Sequence, residues 1–504
     1  MTPPTDVRSP ASIGVGTGLF LALAVALGVL LANDSWLLPA LDDRGAEALA
    51  ASASLARDGP ATSPVAAWAA PDSLRAVPPG RAALPLAMAG LAPSGIRPHV
   101  TGLWVMAGGL AAAALGVSWV AGGAGGIPAA LAAVAFLIVS PAVVRVATVL
   151  GPDAMIMAAV AVLLGTLVYR PEWPALHGAV AGLAWVLAPV GLGAVAAASA
   201  WPLLRPHRDV AGRRAVAAAV VFLAGAGVAA GAWLLDPLLL PGFPVPVPGE
   251  GGGALAGLVG WAGTGMDGAA GVAVAGLAVL AAGLLVVADR RAASVPPAAT
   301  AWYDPAVNDL LSARARTAAL VLAAGLVLAA LLGGGLGAWV AALPPLAVVM
   351  GLSAVRVARR GASSMRLLPV AALGAWLVAS GVHAAMALQA VRADGAHHTA
   401  RVWVESPVVR WLDNQAPPDL PLYADAPFLV QVQIGRPALD LEGALHTPEA
   451  FAEAFAQRPG VIVLTRTREA ADALLARLGL VTVVDAPEGR VLVPPAPGDG
   501  EGGR

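Results

Sequence analysis

Long runs of apolar residues with few charges between them constrain this chain more than any other feature of its sequence. Of its 504 residues, 58% are hydrophobic and only 12% are charged, whereas about a quarter of an average soluble protein is charged. A run of about 20 apolar residues crosses the hydrocarbon core of a bilayer as a helix. The sequence therefore predicts a polytopic α-helical membrane protein and excludes a soluble enzyme of ordinary type.

About eleven segments are predicted to span the membrane. No convincing cleavage site follows the first of them, so we expect it to be a retained span and not a signal peptide. The predicted spans are 11–32, 97–119, 126–147, 154–169, 175–188, 190–204, 215–236, 268–288, 317–333, 336–354 and 366–389.

Arginine clusters orient these spans. They lie near 205–214, 290–316 and 356–366, and the positive-inside rule places cytoplasmic loops where basic residues accumulate. With eleven spans all three clusters fall on the side of the N-terminus. The N-terminus is then cytoplasmic, whereas the segment 33–96 and the C-terminal region are extracytoplasmic.

Two short helices are predicted within the segment 33–96. The first covers 41–59 and lies along the membrane surface, because a weakly apolar face alternates with polar positions; that face consists of Ala46, Leu49, Ala50, Ala53 and Leu55. The second follows Pro78-Pro79-Gly80 and ends near Leu91. It is too short to span comfortably, so we interpret it as a surface or re-entrant helix. Both belong to a transmembrane domain that we assign to 1–390.

The composition changes to that of a soluble domain near residue 390. Alternating apolar patterns predict a small α/β domain over 391–494, followed by a disordered tail at 495–504. Its predicted helices are 403–414 and 467–478, and its predicted strands are 420–423, 461–464, 481–484 and 491–493.

Missing residue types exclude several kinds of chemistry. The chain has no cysteine, and all 30 of its basic Lys+Arg residues are arginine. Disulfides, thiolate metal sites, lysine Schiff bases and P-loop lysines are therefore excluded. The net charge of −1 gives no electrostatic basis for binding nucleic acid.

Acidic residues at the predicted outer face are the strongest candidates for chemistry. Asp42 and Asp43 follow the first span, and Asp153 lies in Gly151-Pro152-Asp153 between two spans. Each could simply stabilise the start of a helix, where carboxylates are favoured. Two carboxylates meeting at a membrane boundary could instead hold an acceptor hydroxyl, a divalent cation or both. No complete set of metal ligands is present, so no metal site is assigned and a divalent cation is only an option.

Arg75 and Arg81 flank the rigid turn Pro78-Pro79-Gly80 at the same predicted face. Guanidinium groups there could bind a phosphate with two hydrogen bonds. Arginine side chains that extend from apolar surface to the membrane interface are the commoner explanation.

The order of these features resembles the GT-C superfamily of polyprenyl-phosphate-dependent glycosyltransferases. One span precedes Asp42-Asp43 and a surface helix; Pro78-Pro79-Gly80, two spans, Asp153, the run 178–184 and an outer domain follow. The similarity is strongest to the bacterial branch of protein O-mannosyltransferases and aminoarabinose transferases. The outer-domain stretches that carry it are 408–414, 423–425 and 435–438. The resemblance implies a multi-pass protein of the bacterial plasma membrane.

The resemblance also implies roles for individual residues. The acidic residue after the first span would be the catalytic base that activates the acceptor hydroxyl, which falls on Asp42 or Asp43 with a slight preference for Asp42, and Asp153 would be the second acidic residue. Arg75, Arg81 and Arg145 are the arginines best placed to bind the donor phosphate. The implied partners are a polyprenyl-phosphate sugar and a glycan, lipid or protein acceptor, together with the bilayer.

Two other functional classes stay open. A transporter or flippase requires ionisable residues within the spans, and the predicted spans are nearly free of them. An inactive GT-C-like scaffold is the third hypothesis, because many members of the superfamily have Asp-Glu where this chain has Asp42-Asp43, and an aromatic residue where it has Gly45 or Ala46.

Overall fold

The computed structural model describes most of the membrane-type helices and most of the C-terminal domain. The described residues are 10–32, 41, 43–55, 62–63, 75–76, 79–91, 98–188, 190–204, 211–239, scattered positions from 277 to 289, 305–333, 336–360, 363–394, 400–441, 444, 447–465, 472 and 476–495. They form two compact units, one comprising 1–37, 78–84 and 100–389, the other 38–77, 85–99 and 390–504. The segments 38–77 and 85–99 thus cluster with the C-terminal region.

Long apolar helices make up the first unit. They are rich in alanine, leucine and valine, which either favour helix or are tolerated there when buried. In chain order the helices up to residue 394 are α1 (Pro10–Ala32), α2 (Asp43–Leu55), α3 (Pro79–Leu91), α4 (Pro98–Gly125), α5 (Ile127–Val139), α6 (Pro141–Thr148), α7 (Asp153–Tyr169), α8 (Pro174–Leu187), α9 (Gly191–Leu204), α10 (Ala211–Leu239), α11 (Pro305–Gly333), α12 (Leu336–Ala341), α13 (Leu343–Arg360) and α14 (Ser363–Asp394). Of these, α2 belongs to the second unit, and α3, α4 and α14 are divided between the two units.

The membrane-type fold predicted from the sequence is confirmed. Each of the eleven predicted spans is helical over most of its described residues, with breaks inside two spans at Ser140 and Ala342. Among the described residues, five helices are long and apolar enough to cross a membrane, and a bent pair makes a possible sixth. The total of eleven crossings stays a prediction.

The structure corrects three details of that prediction. The segment 126–147 is not one straight span, because α5 and α6 meet at an angle of 71°, and a proline inside a helix removes a hydrogen bond and clashes with the preceding turn. The segment 336–354 is likewise divided between α12 and α13. Arg314 and Arg316 lie within α11 and not in a loop, because the helix extends beyond its apolar part.

Small residues let the helices of this unit pack closely. A Cβ atom at Gly325 of α11 would lie 2.6 Å from the carbonyl oxygen of Gly193 on α9. A Cβ at Gly182 of α8 would lie 2.5 Å from the carbonyl oxygen of Gly225 on α10. Packing through small residues is how helices associate where lipid offers no hydrophobic driving force.

The second unit contains a small ribbon and a mixed five-stranded sheet. Its remaining elements are β1 (Thr62–Ser63), β2 (Arg75–Ala76), α15 (Arg401–Val404), α16 (Pro407–Asn414), β3 (Leu422–Ala424), α17 (Pro427–Ile434), β4 (Ala438–Asp440), α18 (Pro448–Gln457), β5 (Val461–Leu464), β6 (Val481–Ala486) and β7 (Gly489–Val493). β1 pairs antiparallel with β2. The sheet order is β4-β3-β5-β7-β6, in which β4, β3 and β5 are parallel and β7 and β6 continue antiparallel.

Apolar side chains cover both faces of this sheet. Phe451 and Phe455 of α18 pack on one face with Tyr423, and Val408 of α16 and Val430 of α17 pack on the other. The central parallel strands β3 and β5 are therefore buried on both sides, as parallel strands usually are. The predicted strands at 420–423, 461–464, 481–484 and 491–493 all overlap observed strands.

Sequence patterns missed part of this domain. The predicted helix 403–414 is two helices, α15 and α16, because Ser406 accepts a hydrogen bond from the Val408 amide and begins a new helix. α17, β4 and α18 were not predicted at all. Most of the predicted helix 467–478 and of the tail 495–504 lies outside the described residues.

Candidate donor and acceptor site

The break between α5 and α6 shapes the membrane part of the candidate site. Ser140 is the residue before α6, and Pro141 is its first residue. Pro141 has no amide hydrogen, so it fits the first helical position but cannot continue α5. α6 ends at Thr148, and the extended Val149 leads through Gly151-Pro152 to α7. A chain segment bent in this way brings residues of α6 and the start of α7 into one region.

Asp153 is the first residue of α7 and not the residue that caps it. Pro152 occupies the cap position, and its carbonyl oxygen accepts hydrogen bonds from the Met155 and Ile156 amides at 2.9 and 3.1 Å. The carboxylate folds back over the preceding turn, since Oδ2 would be 4.0 Å from a Cβ atom placed on Gly151. At this position the helix dipole favours the ionised carboxylate.

Arg145 lies in the last turn of α6, where a positive charge is favoured by the helix dipole. Its side chain is half-buried, and its carbonyl oxygen accepts the Val149 amide at 2.8 Å. α6 packs against α7. The structure therefore places Arg145 and Asp153 on two contacting helices of the same unit.

A largely apolar cavity of about 330 Å³ lies beside α6. Its size falls within the range of small-molecule sites. Thr148 is the one lining residue with a polar side chain, and its hydroxyl donates to the Val144 carbonyl oxygen at 2.9 Å. The lining comes from α1, α4, α5, α6 and α14: Leu21, Ala24, Val25, Gly28, Val29, Leu110, Val134, Ile138, Val143, Val144, Ala147, Thr148, Ala384, Ala385 and Leu388.

Sequence reasoning missed this cavity. The lining residues of α1 and those of α14 lie near opposite ends of the transmembrane region in the sequence, and neither set forms a recognisable motif. Pro141 inside an apolar run was the available signal for the break in the helix.

The other predicted site residues lie in different parts of the chain. Asp42 is outside the described residues, and Asp43 is the first residue of α2. Arg75 is in β2, where it pairs with Ser63 of β1. Arg81 is near the start of α3, in the segment that belongs to the first unit. The placement of the side chains of Asp43, Arg75 and Arg81 is not described.

The predicted amphipathic face of α2 needs correction. Leu49 and Ala50 are only partly buried, whereas Glu47, Ala51 and Ser52 are 3%, 0% and 2% exposed. Ala46 is buried as predicted, at 5% exposure. The helix is thus enclosed by protein over much of its circumference, which a sequence pattern of weakly apolar alanines could not reveal.

A buried ion network lies elsewhere in the first unit. The Arg316 guanidinium donates to both carboxylate oxygens of Asp289 at 2.7 and 3.0 Å and to the Ser312 hydroxyl at 2.9 Å. Arg356 approaches the same carboxylate at 3.5 Å. These three charged side chains are only 10–16% exposed, and they link α11, α13 and the helical residues that end at 289.

Metal binding has no obvious location in the described part of the chain. There, no three histidine or acidic side chains come close enough to hold an ion. The divalent cation considered from the sequence therefore has no assigned ligands among these residues.

Comparison with solved structures identifies the fold. The chain is similar to ArnT from Cupriavidus metallidurans bound to undecaprenyl phosphate, with a TM-score of 0.57 and 14% identity over 95% of this chain and 98% of that chain. The apo state of the same protein gives a TM-score of 0.56 and 16% identity over 94% and 97% of the two chains. No protein-family model matches this chain, and no curated protein matches it either. The chain has the fold of ArnT along almost its whole length, which confirms the fold that the sequence resemblance implied.

Proposed function

We propose that the chain is an integral-membrane glycosyltransferase that transfers a sugar from a polyprenyl-phosphate donor to an extracytoplasmic hydroxyl. The observation that carries the proposal is the likeness to ArnT along almost the whole chain, including a structure of ArnT bound to undecaprenyl phosphate. A lipid-linked donor needs an apolar site next to a phosphate-binding group. The cavity beside α6 and Arg145 on α6 fit those two requirements.

The proposed reaction needs only an acid-base group and positive charge. A carboxylate, from Asp42 or Asp43, takes the proton as the O–H bond of the acceptor breaks. The acceptor oxygen forms a bond to the anomeric carbon, while the bond between that carbon and the phosphate oxygen breaks. The electron pair stays on the lipid phosphate, whose charge Arg145 stabilises, with Arg75 and Arg81 as further candidates. Attack from the face opposite the leaving phosphate inverts the anomeric centre.

Asp153 has a supporting position in this proposal. It lies at the start of α7, which packs against the helix of Arg145. A carboxylate near a phosphate-binding arginine can hold the guanidinium in place or bind a sugar hydroxyl. Its loss is therefore expected to reduce transfer less than loss of the base.

Transfer assays with single variants test the proposal. Membranes that contain the wild-type chain, Asp42→Asn, Asp43→Asn, Asp153→Asn or Arg145→Gln are incubated with a panel of radiolabelled polyprenyl-phosphate sugars. We expect one variant of the Asp pair to abolish transfer at a normal protein level. A wild-type chain that transfers nothing from any donor would overturn the enzyme and leave the transporter and scaffold hypotheses in its place. Transfer at the wild-type rate by both Asp42→Asn and Asp43→Asn would exclude the Asp pair as the source of the base.

A transporter is the second candidate, and one observation favours it. The network of Asp289, Arg316 and Arg356 places ionisable side chains inside the unit of membrane-type helices, where such residues are often functional. The network also links three helices, which is a structural role. Uptake of a labelled lipid-linked sugar into proteoliposomes distinguishes the two, because a transporter moves the donor without an acceptor and depends on Asp289.

A further inference from the structure

Helix α2, which begins at the proposed catalytic Asp pair, belongs to the same compact unit as the C-terminal domain. Within that unit it contacts α17 of the C-terminal domain as well as β1. The outer domain is therefore a direct neighbour of the helix on which the proposed base depends.

Burial along α2 shows that it is held tightly. Ala46, Glu47 and Ala48 are 5%, 3% and 4% exposed, and Ala51 is fully buried. Three successive helical residues cover about 200° of the circumference, at about 100° each. The small side chains of Ala46, Ala48 and Ala51 let a neighbouring helix come close. Small movements of that neighbour are thus transmitted directly to α2.

Leu429 is the residue of α17 best suited to this contact. It is 3% exposed, yet it is not part of the apolar clusters on the two faces of the sheet, whereas the adjacent Val430 is. Successive helical residues point about 100° apart. Leu429 is therefore buried on a different side of α17 from Val430, and α17 contacts the helices α2 and α16.

α17 is itself anchored to the sheet immediately before its first turn. The Asp425 carboxylate, which follows β3, accepts hydrogen bonds from the Thr465 amide at 2.9 and 3.0 Å and from its hydroxyl at 3.0 Å. Thr465 follows β5, the parallel neighbour of β3. Hydrogen bonds to a charged carboxylate are among the stronger ones, so the start of α17 has a fixed position relative to the sheet.

We propose that Leu429 is a positioning residue for the transfer reaction, through which the C-terminal domain holds α2 and the acidic residues at its start. This inference rests on the proposed function, because it assumes that the base lies at Asp42 or Asp43. The sheet fixes Asp425 and α17, α17 packs against α2 through Leu429, and α2 sets the location of the carboxylate.

Engineered disulfides test the packing without any enzyme assay, because the chain has no cysteine. A cysteine at Ala48 or Ala51 is paired in turn with one at Phe428, Val432 or Gln433, and the full-length protein is oxidised in membranes. At least one pair should form an intramolecular disulfide, since contacting helices provide the required Cα separations of about 4.4–6.8 Å. The same α2 cysteines paired with Gln457→Cys on α18 are the control. Equal cross-linking to α18, or none to α17, would overturn the packing.

Kinetics of matched variants test the positioning role. Leu429→Ala is expected to lower kcat about tenfold or more with little change in the donor KM, because misplacing a catalytic group by about 1 Å costs up to about a hundredfold. Leu429→Met conserves volume and should retain near-wild-type kcat. Leu492→Ala is the control, because it removes a buried leucine from the opposite face of the sheet. It should lower the melting temperature about as much as Leu429→Ala does and leave kcat unchanged.

The outcomes separate the two proposals. If Leu429→Ala and Leu492→Ala have equal kcat values, Leu429 is only structural and the positioning role is overturned, while the proposed transfer stands. If the wild-type chain itself transfers nothing, the proposed function and the positioning role both fail, whereas the disulfide result still reports on the packing.

Discussion

Replacement of Gly28 by leucine is expected to make the protein more stable and less active. Gly28 lines the cavity beside α6, and a side chain there would begin in open space. A leucine side chain occupies on the order of 100 Å³, about a third of the 330 Å³ available. At about 24 cal/mol per Å³ of cavity filled, this contributes at most about 2 kcal/mol to the free energy of unfolding, because Gly28 is exposed and its side of the cavity is open. Replacing a helical glycine adds up to about 1 kcal/mol.

The same side chain should compete with the lipid of the donor. Its four carbons displace a similar number of lipid-chain carbons, and each of those loses several contacts worth about 0.1–0.2 kcal/mol. The chain of the free donor already lies in hydrocarbon, so no hydrophobic transfer term is added. A loss of about 1.4 kcal/mol raises the donor KM about tenfold, whereas kcat should change little because the reacting atoms are not at the lipid chain.

Initial rates at several donor concentrations and melting curves in detergent measure both effects. Gly16→Leu is the matched control: it lies on the same helix, its Cβ also meets nothing within 4 Å, and it does not line the cavity. A Gly28→Leu enzyme with the donor KM of Gly16→Leu would refute the cavity as the lipid site. A lower melting temperature for Gly28→Leu than for the wild type would refute the volume argument itself.

Two further predictions concern stability. Gly325→Ala should lower the free energy of unfolding by about 1–3 kcal/mol, because its Cβ would lie 2.6 Å from the Gly193 carbonyl oxygen and must move by about 0.4 Å to reach 3.0 Å. The control Gly227→Ala has no neighbour within 4 Å and should instead raise the free energy of unfolding by about 0.5–1 kcal/mol. Equal melting temperatures of the two variants would contradict the argument. Burial raises the pKa of the Tyr423 hydroxyl, and the Arg458 guanidinium partly offsets this effect. The folded state therefore holds the hydroxyl proton more firmly than the unfolded state does. The contribution of Tyr423 to the free energy of unfolding is fully present below the unfolded pKa of about 10 and is lost as the pH rises above it. Urea unfolding at pH 9 and pH 11 should therefore show a smaller alkaline loss for Tyr423→Phe than for the wild type, and an identical loss would exclude this tyrosine as its source.

The fold class was predictable because a bilayer restricts what an apolar chain can do. Backbone groups in hydrocarbon must be satisfied within the segment, so a long apolar run such as 98–125 forms a helix whatever its neighbours are. The same argument located the helix that begins at Asp153, whereas the strand at 461–464 was located by its short apolar run of β-branched residues. α17 and β4 escaped prediction because each has eight residues or fewer and is stabilised by packing on the sheet.

The sequence by itself determined the membrane-type helices, the order of features along the chain and the acidic and basic residues that could carry the chemistry. The tertiary structure decided which of these acidic and basic residues lie on helices that contact each other. Arg145 and Asp153 lie on α6 and α7, two helices that are in contact and follow the break at Pro141. α2 clusters with residues almost 400 positions later in the chain, a contact between distant segments for which its own sequence carries no signal. Local patterns report which face of a helix is apolar, whereas the partner of that face depends on how the whole chain packs.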